Sequence, residues 1–250
     1  MIPKRIIQFW HDQELIPDVT LEAIQRTREL HSGYEYLLAD DAYMQTHIAS
    51  HHGKATLDLY NRILIPASRS DLARLMLLHH FGGTYLDCSL QFHKSLDSIL
   101  QDDDEIVLAK RDDSPRFQNI PDKANVTNSM ISAPPASNFI YWCIIKALSN
   151  LVDGDYNNKV ALATGPQVIN MALHRLGEQH RTRSLSFAKL RENSLTLTRK
   201  PGITNSWLDV QGEGILEPQY LKANGRRIER LWSFRTSFIH LSVSFLKIKN

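Results

Sequence analysis

An α/β fold with a mostly parallel sheet flanked by helices is what this sequence predicts. Short apolar runs alternate with helical patterns through the first half of the chain, and 250 residues suit one sizeable core of that class. Hydrophobic residues at 42% and charged residues at 22% are ordinary for a globular chain and leave little room for extended disorder. One domain over residues 1–250 is the expectation, because no repeat, low-complexity segment or linker divides the chain.

Lys4–Trp10 reads as a first strand, Leu21–Leu30 as a helix and Tyr34–Ala39 as a second strand, a βαβ opening with short connections. Helices follow at Tyr43–His52 and Pro66–Phe81, with strands at Thr84–Leu86, Glu105–Ala109 and Val126–Ser132. Two more helices are expected at Ala136–Leu151 and Pro166–Leu176, and the last third is less periodic. Pro66 suits a helix start because its missing N–H costs nothing there, and Gly82 suits the end. The acidic run Asp102–Glu105 reads as a solvated loop before a buried strand. The pairs His51/His52 and His79/His80 read as structural, since adjacent residues do not share a helix face.

The first residues lack the apolar core and cleavage site of a secretory signal, and no run approaches the roughly 20 apolar residues of a membrane span, so a cytosolic location is expected. Cys88 and Cys143 lack CxxC spacing and read as buried thiols. The formal charge of +2 hides a basic end: residues 221–250 hold seven Lys and Arg against Glu229 alone. Such an end suits phosphate groups or an anionic membrane surface, and equally a solvated basic face. Nothing in it marks a nucleic-acid binder, so no nucleic-acid partner is expected.

Within Pro66–Phe81, apolar residues cover nearly every direction around the axis, so the helix from Asp71 onward must be buried. Asp71 and Arg74 stand three apart on one face, either as a local ion pair or, because desolvating two charges is costly, as charges directed into a polar cleft. After Gly82-Gly83, the strand Thr84–Leu86 delivers Asp87 to its carboxyl end, where ligands gather in open α/β sheets. Asp87 and Ser89, two apart on an extended segment, offer oxygen ligands to a cation or to sugar hydroxyls. Read alone, Asp87 serves equally as a turn or helix cap.

Together, IPKRIIQFWHD, YEYLLADD and above all SRSDLARLMLLHHFGGTYLDCSL resemble the sugar-binding, DXD-containing glycosyltransferases. That group includes fungal initiating mannosyltransferases, bacterial capsular-polysaccharide transferases and, more remotely, the glucosyltransferase domains of large clostridial toxins. The shared pattern is Ser70, Asp71 and Arg74 in a helix, Gly82 and Gly83 at a turn, then Tyr85, Leu86 and Asp87. The likeness resumes at NSMISAPPASNF, ATGP and HLSVSF.

The resemblance implies a GT-A fold, Rossmann-like, that binds a nucleotide-sugar with Mn2+ or Mg2+ and usually retains anomeric configuration. It places Trp10 against the nucleotide base, Asp71 and Arg74 on the donor sugar, and Tyr85 and Asp87 near the ribose and metal, with Asn128 lining the donor-sugar pocket. Asp71, Arg74 and Asp87 are the expected catalytic residues, and Asp87, Ser89, His240 and Ser244 the expected metal ligands. A UDP-sugar is favoured as donor over a GDP-sugar, and a saccharide or lipid-linked saccharide is the implied acceptor. Capsule or lipopolysaccharide synthesis is the implied setting, with the basic C-terminal segment touching the membrane. A noncatalytic nucleotide-sugar binder and a toxin-like effector that glycosylates a protein are the alternatives. Ser89 departs from the pattern, since the second position of DXD is a carboxylate; a neutral hydroxyl implies weaker metal binding.

Overall fold

The computed structural model describes residues 1–110, 126–153, 156, 158–177, 179–192, 194–196 and 214–216. Its centre is β1 (Arg5–Phe9), whose consecutive Ile6 and Ile7 are both fully buried because they enter cores on opposite faces of the sheet. α1 (Asp18–Leu30) then crosses over to β2 (Glu35–Ala39), which pairs in parallel with β1 from Arg5↔Glu35 to Phe9↔Ala39. The chain continues through α2 (Asp41–His51), α3 (Lys54–Asn61) and α4 (Pro66–Phe81) into β3 (Gly83–Leu86), also parallel to β1. A short β4 (Leu90–Phe92), β5 (Ile106–Lys110), β6 (Val126–Ala133), α5 (Asn138–Asp153), α6 (Val160–Ala163), α7 (Pro166–Leu176), β7 (Thr182–Ser186), α8 (Phe187–Arg191) and β8 (Ser194–Thr196) complete the described elements.

The main sheet runs β2-β1-β3-β6-β5-β7. Only β6 opposes the others, pairing antiparallel with both β3 and β5. The expected mostly parallel α/β architecture therefore stands. One face of the sheet carries Ile7, Tyr85, Leu108 and Ile131 against α4, α5 and α7. The other carries Ile6, Leu86, Val107 and Met130, packed with Leu90 and Phe92 of β4. Strict alternation within strands buried on both sides explains the unbroken apolar runs in the sequence.

α4 occupies its expected span, Pro66–Phe81, with every residue from Asp71 to Leu78 buried. Gly82 ends it at φ +64, and a Cβ there would lie 2.5 Å from Pro135, so both conformation and space demand glycine. α3, β4, α6, β7, α8 and β8 were not expected: α3, α6 and α8 are eight residues long or shorter, and β4, β7 and β8 are too short to give clear alternation.

The acidic run departs from its reading as a solvated loop. Asp104 is buried and takes Arg183 Nε at 2.6 Å, Glu105 meets His180 Nδ1 at 2.8 Å, and Asp103 pairs with Arg181. These contacts tie the start of β5 to β7, its parallel neighbour. Among the described residues no helix is long and apolar enough to cross a membrane.

Candidate functional site

Strand direction collects the site. β1 and β3 run in parallel, so Trp10 and Asp87 both leave the sheet at its carboxyl edge, and α4 brings its N-terminal half to the same end. Tyr85 and Asp87 are two apart and so share the face toward α4. The Arg74 guanidinium lies over the Tyr85 ring at 4.5 Å and faces Asp87 Oδ1 from Nη1 at 3.2 Å. Asp71, Arg74, Tyr85 and Asp87, drawn from two elements by their spacing, thus form one cluster.

β6 supplies the third wall. Its register against β5 jumps from Leu108↔Ile131 to Ala109↔Thr127, a bulge that takes Asn128 out of that ladder and re-aims it. The Asn128 side-chain amide donates to Asp71 Oδ1 at 2.6 Å, and the Asn128 backbone carbonyl accepts from Arg74 Nη1. The neighbouring Ser129 carbonyl accepts from the Asp87 N–H at 2.8 Å, which fixes the segment that carries Asp87.

Within the cluster, Asp71 is the enclosed acid and Asp87 the open one. Asp71 is only 4% exposed; Oδ1 meets Asn128 and Arg74 Nη2 (3.2 Å), and Oδ2 accepts from Thr164 Oγ1 at 2.9 Å. The Asp87 side chain keeps 32% of its surface exposed. Burial pushes the Asp71 carboxyl up to about 6, against the opposing pull of Arg74 and of the Thr164 and Asn128 hydrogen bonds. Burial works against the charge of Arg74, yet Tyr85, Asp87 and Asp71 hold it more firmly protonated than usual. Ser70, one turn before Arg74, accepts from Nη2 at 2.9 Å and shares a hydrogen bond with the Tyr85 hydroxyl at 3.1 Å.

Trp10 sits at the end of β1, where its backbone N–H binds the Ala39 carbonyl. Its indole Nε1 is buried without a hydrogen-bond partner among the described residues. Cys88, between Asp87 and Ser89, donates to the Phe9 carbonyl at 3.4 Å; burial pushes its thiol up to about 12, which makes it inert. Both cysteines are buried and free, as expected.

Ser89 departs from its expected geometry. Asp87 to Leu90 is a tight turn, closed by the Leu90 N–H on the Asp87 carbonyl at 2.9 Å, so the two side chains do not share one side of an extended segment, and Ser89 is exposed. Turn chemistry at Cys88-Ser89 overrode the extended reading. His240 and Ser244 lie outside the described residues, as does the basic segment 221–250. The oxygens present here, one partly open carboxylate already facing Arg74 and one exposed hydroxyl, do not make a complete cation site, and no group of three His, Cys, Asp or Glu among the described residues does.

Sequence reasoning missed Thr164. Its signals were its place in the ATGP stretch of the family likeness and before Gly165-Pro166, a loop running into a helix, which draws attention to backbone N–H groups rather than to the hydroxyl that meets Asp71.

Residues 17–105 match the family model described as glycosyltransferase sugar-binding region containing DXD motif. Inositol phosphoceramide mannosyltransferase 3 of Schizosaccharomyces pombe is 34% identical over 99 residues, 40% of this chain and 27% of that protein. Mannosyl phosphorylinositol ceramide synthase CSH1 of Saccharomyces cerevisiae is 26% identical over 173 residues, 68% of this chain and 42% of that protein. The chain thus spans less than half the length of these curated relatives. In fold it is similar to PaToxG glycosyltransferase, with a TM-score of 0.51 at 19% identity over 70% of this chain and 69% of that one. It is also similar to the ligand-free glycosyltransferase domain from the YGT toxin, with a TM-score of 0.54 at 9% identity, covering 74% and 80%. The architecture is that of GT-A glycosyltransferase domains.

Proposed function

We propose, from the premise that residues 17–105 belong to the DXD-containing, sugar-binding glycosyltransferase family, that this chain transfers a hexose from a nucleotide-sugar to an acceptor hydroxyl. The observation that supports this best is the carboxyl-edge cluster: an enclosed Asp71, a guanidinium on Tyr85 and an open Asp87. Breaking a sugar–diphosphate bond develops negative charge on the leaving group and positive character on the ring. Arg74, held by Asp71, Ser70 and Asn128, meets such charge with almost no reorganisation. Asp87 is open enough to accept hydrogen bonds from sugar hydroxyls, and the unspent Trp10 N–H is placed for the nucleotide. Asp71 is enclosed by its partners and poorly placed to act as a covalent nucleophile, which favours front-side attack with retention.

The named activities of the fungal relatives favour a lipid-linked acceptor over a capsular one. We assign the chain to a single domain working at the cytosolic face of a membrane, with the basic segment 221–250 against anionic lipid. The experiment is incubation of the purified chain with UDP-, GDP- and CMP-hexoses and Mn2+. Donor hydrolysis or transfer is expected, falling at least about 100-fold in Asp87→Ala. Equal turnover in that variant removes Asp87 from the site. Saturable binding without turnover, which the neutral Ser89 would favour, supports the binding-protein alternative instead.

A further inference from the structure

Asp71 is a buried acid whose two oxygens are treated differently. Oδ1 faces Asn128 Nδ2 and Arg74 Nη2, which only donate hydrogen bonds. Oδ2 faces the Thr164 hydroxyl, which can donate or accept. The Thr164 oxygen is also 3.2 Å from Ser68 Oγ, itself fully buried.

One hydroxyl carries one proton, so these distances impose an order. While Asp71 is ionised, Thr164 gives its proton to Oδ2, the nearer of the two acceptors its hydroxyl faces, rather than to Ser68 Oγ. If Asp71 takes a proton, it goes to Oδ2, because Oδ1 already faces two donors. The hydrogen bond then reverses: Asp71 donates to Thr164, and Thr164 to Ser68. The charged groups acting on this carboxyl are Arg74 on its own helix and Asp87 beyond β3; β6 and the α6–α7 turn present neutral Asn128 and Thr164.

Thr164 is held firmly enough to do this. Its N–H and that of Gly165 both bind the Val160 carbonyl at 3.0 Å, and Asn150 Nδ2 donates to the Leu162 and Ala163 carbonyls at 3.1 and 2.9 Å. A Cβ on Gly165 would lie 2.8 Å from Ala161 Cα, so the turn that aims Thr164 is as tight as a side chain permits.

We propose that Thr164 is a positioning residue of the sugar-donor site, whose hydroxyl holds the Asp71 carboxylate ionised and aligned for Arg74. This rests on the donor reading above. Burial raises Asp71 toward neutrality, and the Thr164 hydrogen bond is one of the forces that lower it again.

The test compares wild type, Thr164→Val and Thr164→Ser between pH 5 and pH 8.5 by UDP-hexose binding and by thermal melting. In Thr164→Val the acid limb of donor binding is expected to move up by about one pH unit, an approximately fivefold loss near pH 6 that recovers at pH 8.5. Thr164→Ser keeps the wild-type profile. Melting reads the same event without donor. With Asp71 protonated the lost hydrogen bond matters less, so the Tm deficit of Thr164→Val should be smaller at pH 5 than at pH 8.5. A deficit equal at both pH values, with an unmoved limb, reduces Thr164 to packing and overturns the inference. So does a Thr164→Ser variant as impaired as Thr164→Val. If Thr164→Val does not fold, Thr164→Ala should move the limb the same way, and an unmoved limb there overturns it. Should the wild type bind no nucleotide-sugar at any pH, the donor reading fails while the melting comparison still decides Thr164.

Discussion

The two ends of α4 set polar groups in opposite surroundings. At the upper end, Asp71 and Arg74 keep their charges, because Asn128, Thr164, Ser70 and Asp87 supply directed partners. At the lower end, about 14 Å along the same helix, His80 meets the histidines of α2: its ring lies 4.1 Å from His51 and 5.0 Å from His47, and His47 lies 5.6 Å from His52. His47 Nε2 is buried with no hydrogen-bond partner among the described residues, and Arg5, the cation that acts on His80, has the sign that opposes protonation. Polar groups given directed partners stay charged and ready for a ligand, while His47, buried among other imidazoles, is held neutral. The two histidine pairs, which read as structural from the sequence, meet through these contacts. Adjacent residues indeed do not share a face, but one member of each pair meets the other's helix.

The largest expected effect breaks the upper end. In Arg74→Ala, Asp71 is left buried without its counter-charge, which costs about 3–5 kcal/mol at pH 8. The more informative change is Arg74→Lys. A point charge cannot span Ser70, Asn128, Asp71 and Asp87 as the planar fork does, so donor turnover is expected to fall about 100-fold or more with a smaller loss of stability. Wild-type turnover in Arg74→Lys, measured by donor hydrolysis, would separate Arg74 from the chemistry and leave only the ion pair.

The next effect reads the lower end through pH. Burial first, then the neighbouring imidazoles of His52, His51 and His80, lower His47 from the ordinary histidine value to about 3. A histidine held neutral in the fold but free to protonate when unfolded makes the unfolded state bind more protons. Stability is therefore complete above about pH 6.5 and is lost as pH falls from there toward 3. At pH 5 the loss is about 1–2 kcal/mol from this residue. Thermal melts of wild type and His47→Phe at pH 5 and pH 8 check it: the variant should lose less on acidification. An equal loss in both would show that the cluster tolerates protonation.

How much of this could be read from the sequence depended on how local the cause was. α4 was legible to the residue, since Pro66, Gly82 and the apolar run between them are signals carried by the helix itself. The Asp71–Arg74–Asp87 grouping was legible because helical spacing and strand polarity both act over short distances. Asn128 entered only through the family likeness, and the bulge that aims it depends on pairing with β5, which no run of residues in β6 announces. Thr164 lies 93 residues from Asp71, and its hydroxyl matters only once α6 and α7 pack beside α4. Ser89 was misplaced because the two residues after Asp87 decide between extension and a turn, and the turn closed.

The smallest expected effect adds charge to the upper end. Ser89 is exposed on the turn that follows Asp87, so Ser89→Asp should change Tm by little, well under 1 kcal/mol in stability terms. It should alter cation affinity more, because a hard divalent ion gains most from a second carboxylate where only a hydroxyl stood. Titration of the wild type with Mn2+ in the absence of nucleotide is expected to show only millimolar-range binding. Ser89→Asp should tighten it about tenfold, roughly 1.4 kcal/mol. Tight, donor-independent Mn2+ binding by the wild type would mean that donors beyond Asp87 and Ser89 complete the site.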